Sequence, residues 1–412
     1  MQKLFTRNFI FITIGQAVSM FGTAILKFTV SLYILDLTGS AAVFGTVTAI
    51  SSIPPIFLSP LGGVLVDRKN KRNMMVALDF SYGMIAVLLG SMLAMGHTVV
   101  LLGIMMVLLS IVSSFESPVV QSSIPIIQPK DNLVKANAVV NQINMLAGLV
   151  GPLLAGMLYG IIGFSKVKFI IYGSGLCFFL AAILESFIHM PFQKPESTGN
   201  AIQIIKKDIA NGVHFVVKKR PYVFKAILLN SLFILLIQPL ITVGAPYMIQ
   251  VSLGLSSVLN GISQAAMGVA GLLGGFLTGI IANRFKVSKL YILFISMGVS
   301  MLPLGMVFLL GLQPVTVYYV LIICCVSIFL TASIAGIYLM SAIQRKVPEN
   351  MLGRVMSFYM TIANCALPIG MALYGFMYER LSSSIHLIMF VTALLIVLIG
   401  FSGKRTYNEL DT

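Results

Sequence analysis

Long apolar runs recur along this chain of 412 residues, and they limit its fold more than any other feature. Twelve of them reach about the 20 residues that a helix needs to cross the hydrocarbon core of a bilayer. Only 9% of the residues are charged, whereas a soluble domain has roughly 25%. Membrane-spanning strands would give short segments of alternating hydrophobicity, which the sequence lacks. The chain is therefore predicted to be an all-α integral membrane protein.

The predicted spans follow one another through short polar connections. They cover residues 9–35, 41–66, 74–96, 99–127, 136–162, 167–189, 223–249, 256–281, 289–311, 315–340, 355–378 and 384–401. One longer connection, residues 190–222, joins the sixth span to the seventh. We therefore predict an N-terminal six-helix bundle in residues 1–189, a linker, and a C-terminal six-helix bundle in residues 223–412.

The lysine and arginine residues predict the orientation of these spans. Of the 27, all lie at the termini or in connections on one side, except Lys27, Lys166, Lys168 and Arg380. The positive-inside rule places that side in the cytoplasm. The formal charge of +15 then belongs to the cytoplasmic loops of a multi-pass plasma-membrane protein, so nucleic acid is not expected as a partner. Both termini are predicted to be cytoplasmic.

The two halves of the chain are related in sequence. Two pairs of segments correspond: GGVLVDRKNKR (62–72) with TGIIANRFKVS (278–288), and PKDNLVKA (129–136) with PENMLGRV (348–355). In the first pair, Asp67-Arg68 corresponds to Asn283-Arg284. The offset of the second pair also aligns Gly151 with Gly370 and Gly156 with Gly375. A duplicated six-span unit is typical of transporters built from parallel repeats, which bind substrate near the midplane between the repeats.

The long middle connection contains an amphipathic pattern. Apolar residues fall on one helical face and lysines lie elsewhere; the apolar positions are Ile202, Ile205, Ile209, Val213 and Val216. Such a pattern favours a helix that lies on the inner membrane surface and tethers the two halves.

Two motifs carry a resemblance to a known family. The segment Gly63-x-x-x-Asp67-Arg68-x-x-Lys71-Arg72 resembles the cytoplasmic loop signature of the major facilitator superfamily. In the fifth span, Gly151-Pro152-Leu153-Leu154-Ala155-Gly156 is similar to a motif of its proton-coupled antiporters, with Ala155 in place of one glycine. Three stretches resemble the macrolide-efflux branch: residues 15–26, 63–68 and 352–370.

This resemblance implies a fold of two six-helix bundles and a function in export. The expected protein is a monomeric secondary transporter that moves amphiphilic small molecules of the drug or macrolide type outward by alternating access, against inward proton flow. Many proton-coupled exporters carry an arginine in span four, whereas residues 107–118 contain none.

Two alternatives remain: an exporter of an endogenous metabolite such as a siderophore or lipid-like compound, and a non-transporting receptor or scaffold. No nucleotide-binding loop, metal motif or nucleophile–base arrangement occurs, so neither an enzyme nor a cofactor is expected.

Charged residues at the cytoplasmic loops predict an inner gate. Asp67 could accept hydrogen bonds from the N-terminus of the eleventh helix and pair with Arg354. Arg68 and the corresponding pair Asn283 and Arg284 of the second half complete this candidate site. The alternative is that the basic residues only follow the positive-inside rule, but that rule does not require the aspartate.

Glu116 and Lys27 are the charged residues predicted to lie deepest in the spans. By helical rise, Glu116 lies roughly 16 Å from the inner boundary and Lys27 about 27 Å from it. An ionised carboxyl is costly at that depth, so Glu116 is the candidate for proton coupling or cation recognition; the alternative is a glutamate that pairs with a neighbouring helix for structure. The difference of about 10 Å in depth argues against a direct ion pair. Lys27 either reaches the outer headgroups or faces an outer vestibule, where it would suit an anionic substrate.

The other polar residues within the spans are weaker candidates. Asp79 and Glu185 lie within about two turns of the cytoplasmic boundary, where we expect water or loop cations to reach them. The resemblance implies that spans one, four, seven and ten line the cavity, which indicates Gln16, Ser113, Asn230, Gln238, Ser333 and Tyr338. Flanking helices add Gln264, Asn141, Asn144 and Asn364. Each of these residues could instead hydrogen-bond between helices. The four cysteines lie in apolar runs without metal-ligand spacing, so no metal site is predicted.

Overall fold

The computed structural model describes residues 4–67, 69–93, 98–190, 213–281 and 285–411. Within these ranges, twelve helices are long and apolar enough to cross a membrane. They are α1 (Arg7–Thr38), α2 (Ala41–Asp67), α3 (Lys71–Met92), α4 (Thr98–Ile127), α5 (Leu133–Ile162), α6 (Val167–Ser186), α7 (Pro221–Ser252), α8 (Ser257–Ile281), α9 (Leu290–Leu309), α10 (Pro314–Lys346), α11 (Glu349–Arg380) and α12 (Ile385–Asp411). The predicted all-α membrane fold with twelve spans is confirmed.

Several helices extend beyond the predicted spans. The tenth continues to Lys346, the eleventh already begins at Glu349, and the twelfth continues to Asp411. The apolar pattern marks only the part of a helix that suits hydrocarbon, whereas the backbone hydrogen bonds continue into polar sequence. Val347 and Pro348 separate α10 from α11 in extended backbone conformations. Proline disfavours a helical conformation in the residue before it, which explains the break.

The helix α7 changes its winding near its middle. It is α-helical from Pro221 to Pro239 and continues as π-helical turns at Leu240–Gly244 and Met248–Ser252. A proline lacks the N–H group that an α-helical turn would use, and wider turns restore backbone hydrogen bonding next to it. Pro239 and Pro246 both lie in this part of the helix.

The chain forms two compact units. The first comprises Met1–Thr38 and Ile50–Ile202, and the second comprises Gly39–Ala49 and Gln203–Thr412. In the first unit, α1 packs against α4, α5 and α6, and α3 packs against α4 and α6. In the second unit, α9 packs against α10 and α12, α8 against α10, and α7 against α11. The first residues of α2 therefore belong to the second unit, although the rest of that helix belongs to the first.

Glycines allow the helices of each unit to approach closely. In the second unit, a Cβ atom on Gly298 of α9 would lie 2.9 Å from the Ala393 carbonyl oxygen of α12. In the first unit, a Cβ atom on Gly83 of α3 would lie 2.7 Å from the ring of Phe179 of α6. Small residues at such contacts are typical of membrane helix packing, in which close van der Waals contact replaces the hydrophobic effect.

The predicted amphipathic helix of the linker mostly lies outside the described residues. Residues 213–219 are helical and precede α7, whereas 191–212 are not described. The surface helix therefore remains a prediction.

Candidate functional site: a buried carboxyl cluster

Three carboxyl groups are buried together in the first unit. The exposed fractions of Asp79 on α3, Glu116 on α4 and Glu185 on α6 are 2%, 8% and 0%. Lys27 on α1 is half-buried and interacts electrostatically with Glu116. Charged side chains are rarely buried without a partner, because transfer from water to an apolar interior is costly. These four residues are the centre of the candidate site.

The expectation for Asp79 and Glu185 was wrong. Both side chains are shielded from water, although they lie near the ends of their spans. Depth along a helix does not determine which face a residue occupies, and both acids face the packed interior of the unit. The sequence could have indicated both residues, because acidic residues inside apolar spans are rare and each one is a candidate functional residue.

Asp79 and Glu185 are held by polar residues of α1. The Ser19 hydroxyl donates to Asp79 Oδ1 at 2.6 Å, and Gln16 Nε2 lies 3.4 Å from Glu185 Oε1. A Cβ atom on Gly15 would lie 2.9 Å from Glu185 Cγ, so a glycine is needed for this approach. The two carboxyl groups also interact electrostatically, and Asp79 Oδ2 and Glu185 Oε2 have no hydrogen-bond partner among the described residues.

Glu116 has a separate donor. The Tyr82 hydroxyl donates to Glu116 Oε2 at 3.1 Å. The Tyr82 ring is stacked on Phe178 with a centroid separation of 4.9 Å, which orients the hydroxyl. Lys27 and Glu116 interact electrostatically with each other, and no ion pair joins them in the described part of the chain.

Part of the hydrogen-bonding capacity of the cluster is unused. Gln16 Oε1 and Glu116 Oε1 have no hydrogen-bond partner among the described residues. If Asp79, Glu116 and Glu185 were all ionised, three negative charges would share an apolar interior with the single positive charge of Lys27. Such an excess is strongly unfavourable in hydrocarbon. The arrangement is therefore suited to hold protons and to release them when its surroundings change.

The structure groups the remaining predicted site residues in two sets. Gln16 belongs to the cluster with Lys27 and Glu116, whereas four others lie in the second unit: Asn230, Gln238, Tyr338 and Asn364. Asn230 Nδ2 donates to the Tyr359 hydroxyl at 3.1 Å, a contact between α7 and α11. Asn364 is exposed. In this structure Asn230 therefore forms a hydrogen bond between helices, which the sequence analysis had given as the alternative to a role in substrate binding.

Tyr338 lines a cavity between α8 and α10. The cavity has a volume of about 680 Å³ and includes Thr278, Gln344 and Arg345 in its lining. The Tyr338 hydroxyl has no hydrogen-bond partner among the described residues. Because polar side chains are part of the lining of this cavity, Tyr338 stays a candidate substrate residue.

The predicted inner gate falls mostly outside the described part of the chain. Arg68, Asn283 and Arg284 are not described, and the position of the Asp67 side chain is not described either. Arg354 lies in the second turn of α11, with its guanidinium 3.7 Å from the Met351 sulfur. The latch therefore stays a prediction.

The glycine–proline motif lies in α5, where this helix meets α1. A Cβ atom on Gly151 would overlap the Cβ atom of Ala24, so Gly151 allows the two helices to touch. Pro152 lies inside α5 and Gly156 is buried. The motif thus has a packing role within the first unit.

Comparison with known families identifies the group to which this chain belongs. Residues 12–371 match the family model of the Major Facilitator Superfamily. The chain belongs to this superfamily. As a superfamily member with twelve apolar helices in its described part, the protein is a multi-pass membrane transporter and not an enzyme.

Macrolide efflux proteins are among the relatives of this superfamily member. It is 24% identical over 406 residues to macrolide efflux protein A of Streptococcus pyogenes, with 96% of each chain covered. It is 23% identical over 342 residues to macrolide efflux protein A of Enterococcus faecalis, covering 81% of this chain and all of that protein. The predicted resemblance to the macrolide-efflux branch of the superfamily is confirmed.

Solved superfamily structures share the fold. A bacterial homologue of the iron transporter ferroportin, in an inward-facing state, matches with a TM-score of 0.75 and 16% identity. That alignment covers 97% of this chain and 98% of the other. A bacterial homologue of the lysosomal transporter Spinster matches with a TM-score of 0.72 and 15% identity over 98% of this chain and 97% of the other. At these identities the likeness concerns the fold alone.

Proposed function

We propose that this transporter exports amphiphilic small molecules from the cell and is driven by proton entry through alternating access. The buried carboxyl cluster of Asp79, Glu116 and Glu185 is the observation that carries this proposal. It lies in one membrane-embedded unit with Lys27 as the nearby cation. Such a group of acids has no need to exist in a passive scaffold, where apolar residues would pack at lower cost.

The cluster couples protons to transport in the following way. In an apolar environment the carboxyl groups favour their neutral, protonated forms. When the surroundings of the cluster open to water, the charged forms gain hydration and a proton can leave. A transporter that exposes the cluster to opposite sides in turn would therefore carry protons inward while substrate moves outward. Glu116 is the central acid, because both Tyr82 and Lys27 act on its carboxyl group.

The proposed orientation follows from the distribution of lysine and arginine. Both termini lie in the cytoplasm, and the protein resides in the plasma membrane as a monomer. Protons then enter from the outer side and leave toward the termini. No bound cofactor is part of this proposal.

The proposed substrates are of the macrolide or drug type. Similarity to macrolide efflux proteins along nearly the whole chain supports this class. Lys27 supports a second candidate, because a half-buried ammonium group would favour an anionic endogenous product such as a siderophore or a lipid-like acid. To distinguish the two candidates, export of a macrolide and of an anionic product would be measured in cells with and without the transporter. The compound whose export depends on the transporter belongs to the substrate class.

Efflux of a macrolide and of an amphiphilic dye tests the proposal. Cells would express the wild type, Glu116→Gln, or the matched control Asp131→Asn, which removes an exposed acid. Efflux would be measured over a range of external pH, with membrane abundance determined for each chain. We expect Glu116→Gln to lose the pH dependence and most of the efflux, while Asp131→Asn retains both. If Glu116→Gln exports as well as the wild type at every pH, the assignment of Glu116 to proton coupling is wrong.

A further inference from the structure

The cavity between α8 and α10 lies within the second unit, next to a tight contact of these two helices. A Cβ atom on Gly274 would lie 2.6 Å from the Leu330 carbonyl oxygen, and the Ser333 hydroxyl donates to the Gly271 carbonyl oxygen at 2.9 Å. Beyond this contact, toward the C-terminal ends of both helices, the cavity has a volume of about 680 Å³. This volume is in the range of sites that bind small molecules.

The wall that α8 contributes to the cavity contains little side-chain volume. A Cβ atom on Gly279 would meet nothing within 4 Å, and one on Gly275 would meet only Ile337 Cδ1, at 3.9 Å. The hydroxyl of Thr278, between these glycines, donates to the Gly274 carbonyl oxygen at 2.7 Å, so its proton is already in use. The two glycines therefore leave room for the apolar atoms of a ligand between the helices.

The wall that α10 contributes is mostly polar. Its polar residues recur every three to four positions and therefore share one helical face: Tyr338, Ser341, Gln344 and Arg345. By helical rise, Arg345 lies about 10 Å along the axis from Tyr338. Arg345 is the charged residue of the described lining, which contains no carboxylate. The cavity is thus positively charged at one end and bounded by glycines and a phenol at the other.

The buried phenol provides a second observation, which does not depend on the charge. Tyr338 has an exposed fraction of 7%, and its hydroxyl has no hydrogen-bond partner among the described residues. Phe285 packs against its ring with a centroid separation of 5.1 Å. A buried hydroxyl without a partner costs free energy, because it has lost its hydrogen bonds to water. An acceptor oxygen of a bound molecule would restore one of them.

These features select the chemistry of a ligand. A guanidinium group binds a carboxylate or phosphate through two parallel hydrogen bonds, and it repels a cationic group. A small anion without an apolar part would bind at Arg345 but leave the space beside Gly275 and Gly279 empty. A molecule with an acid group, an apolar body and a further oxygen matches the charge, the free space and the unpartnered hydroxyl together.

We propose that the cavity between α8 and α10 binds an anionic amphiphile. Its acid group lies at Arg345, its apolar body lies beside Gly275 and Gly279, and an oxygen near its other end accepts a hydrogen bond from the Tyr338 hydroxyl.

This site rests on the proposed function and makes its substrate class more specific. Of the two candidate substrate classes, the anionic endogenous product fits the charge of the lining. In the proposed orientation Arg345 lies at the cytoplasmic end of α10, where an exporter takes up its substrate. Binding at this site requires neither proton coupling nor export, so it can be measured separately.

Ligand binding to the purified chain in a non-ionic detergent tests the site. Titration calorimetry would compare ω-hydroxydecanoate with three ligands that each lack one feature: decanoate, decyltrimethylammonium and acetate. The variants are Arg345→Gln, Arg345→Lys, Tyr338→Phe and Gly279→Leu. Lys289→Gln is the control for charge, because Lys289 is exposed in the same unit and outside the lining. Gly271→Leu is the control for size, because a Cβ atom there also meets nothing within 4 Å and Gly271 does not line the cavity.

The wild type should bind ω-hydroxydecanoate more tightly than each of the other three ligands. Arg345→Gln should weaken this binding about tenfold to a hundredfold, because charge-assisted hydrogen bonds are lost, and Arg345→Lys should fall between. Tyr338→Phe should weaken binding of ω-hydroxydecanoate about threefold to tenfold and leave decanoate unchanged, which a merely structural role of Tyr338 would not produce. Gly279→Leu should weaken binding of both acids, while both controls bind as the wild type does.

Two results would overturn the ligand class: equal affinities for decanoate and decyltrimethylammonium, or equal affinities for decanoate and acetate. An unchanged affinity for ω-hydroxydecanoate in an Arg345→Gln chain that unfolds at the wild-type temperature would overturn the site itself. If the purified chain binds as expected but cells do not export ω-hydroxydecanoate, the export proposal fails for this class and the site stands. If export is proton-driven but neither acid binds, the site fails and the proposed function stands.

Discussion

Ser19 on α1 donates a hydrogen bond of 2.6 Å to Asp79 on α3, and this contact joins two helices through a buried carboxyl group. Since Asp79 also interacts with Glu185 on α6, a single acid links three helices of the first unit. Changes at Ser19 should therefore affect proton binding and leave the membrane topology intact.

Replacement of Ser19 by alanine tests the role of this donor. The hydroxyl stabilises the ionised form of Asp79, so its loss makes the proton harder to release. We expect the pH dependence of efflux to move to higher pH in Ser19→Ala. Ser91→Ala on α3 is the control, because its exposed hydroxyl bonds only within its own helix. An unchanged pH profile of efflux in Ser19→Ala would mean that Asp79 takes no part in proton coupling.

Tyr82→Phe removes one hydroxyl and keeps the aromatic ring that packs on Phe178. The lost hydrogen bond to Glu116 should lower the efflux rate about threefold to tenfold, which corresponds to about 1 kcal/mol. Membrane abundance should not change, because the stacking remains. Efflux of Tyr319→Phe, which alters an exposed tyrosine, provides the control. Equal efflux rates for both variants would mean that the Tyr82 hydroxyl serves packing alone.

Two glycines of α5 test whether the glycine–proline motif packs helices. In Gly151→Ala the new methyl group would meet Ala24, so we expect the variant to lose about 1–3 kcal/mol of stability. In Gly148→Ala the new methyl group meets nothing within 4 Å, so the variant should be as stable as the wild type or slightly more stable. Thermal unfolding of the purified chains in detergent measures both. The same loss in both variants would contradict the packing role.

Asp67→Asn tests the predicted inner gate. We expect this variant to lower efflux while its membrane abundance equals that of the wild type, because a neutral amide binds a helix N-terminus more weakly than a carboxylate does. Asp131→Asn serves as the control, since Asp131 is an exposed acid that is not part of the predicted gate. Efflux at the wild-type level in Asp67→Asn would remove the case for a latch at this position.

The sequence by itself determined the number and positions of the membrane helices. A span requires about 20 apolar residues in succession, and this requirement can be read locally. Its motifs also led to the superfamily, because loop signatures such as Asp67-Arg68 combine residue type and spacing. Glu116 was selected by its depth alone, and the structure places it in the carboxyl cluster.

Only the tertiary structure decided which side chains meet. Asp79 and Glu185 lie far apart in sequence, and their encounter depends on how α3 and α6 rotate about their axes against α1. The contact of Glu379 with the beginning of α2 likewise joins residues separated by more than 330 positions. Hydrophobic run length carries no information on helix rotation or helix partners, since these are determined by the packing of whole surfaces, including glycines at points of backbone contact.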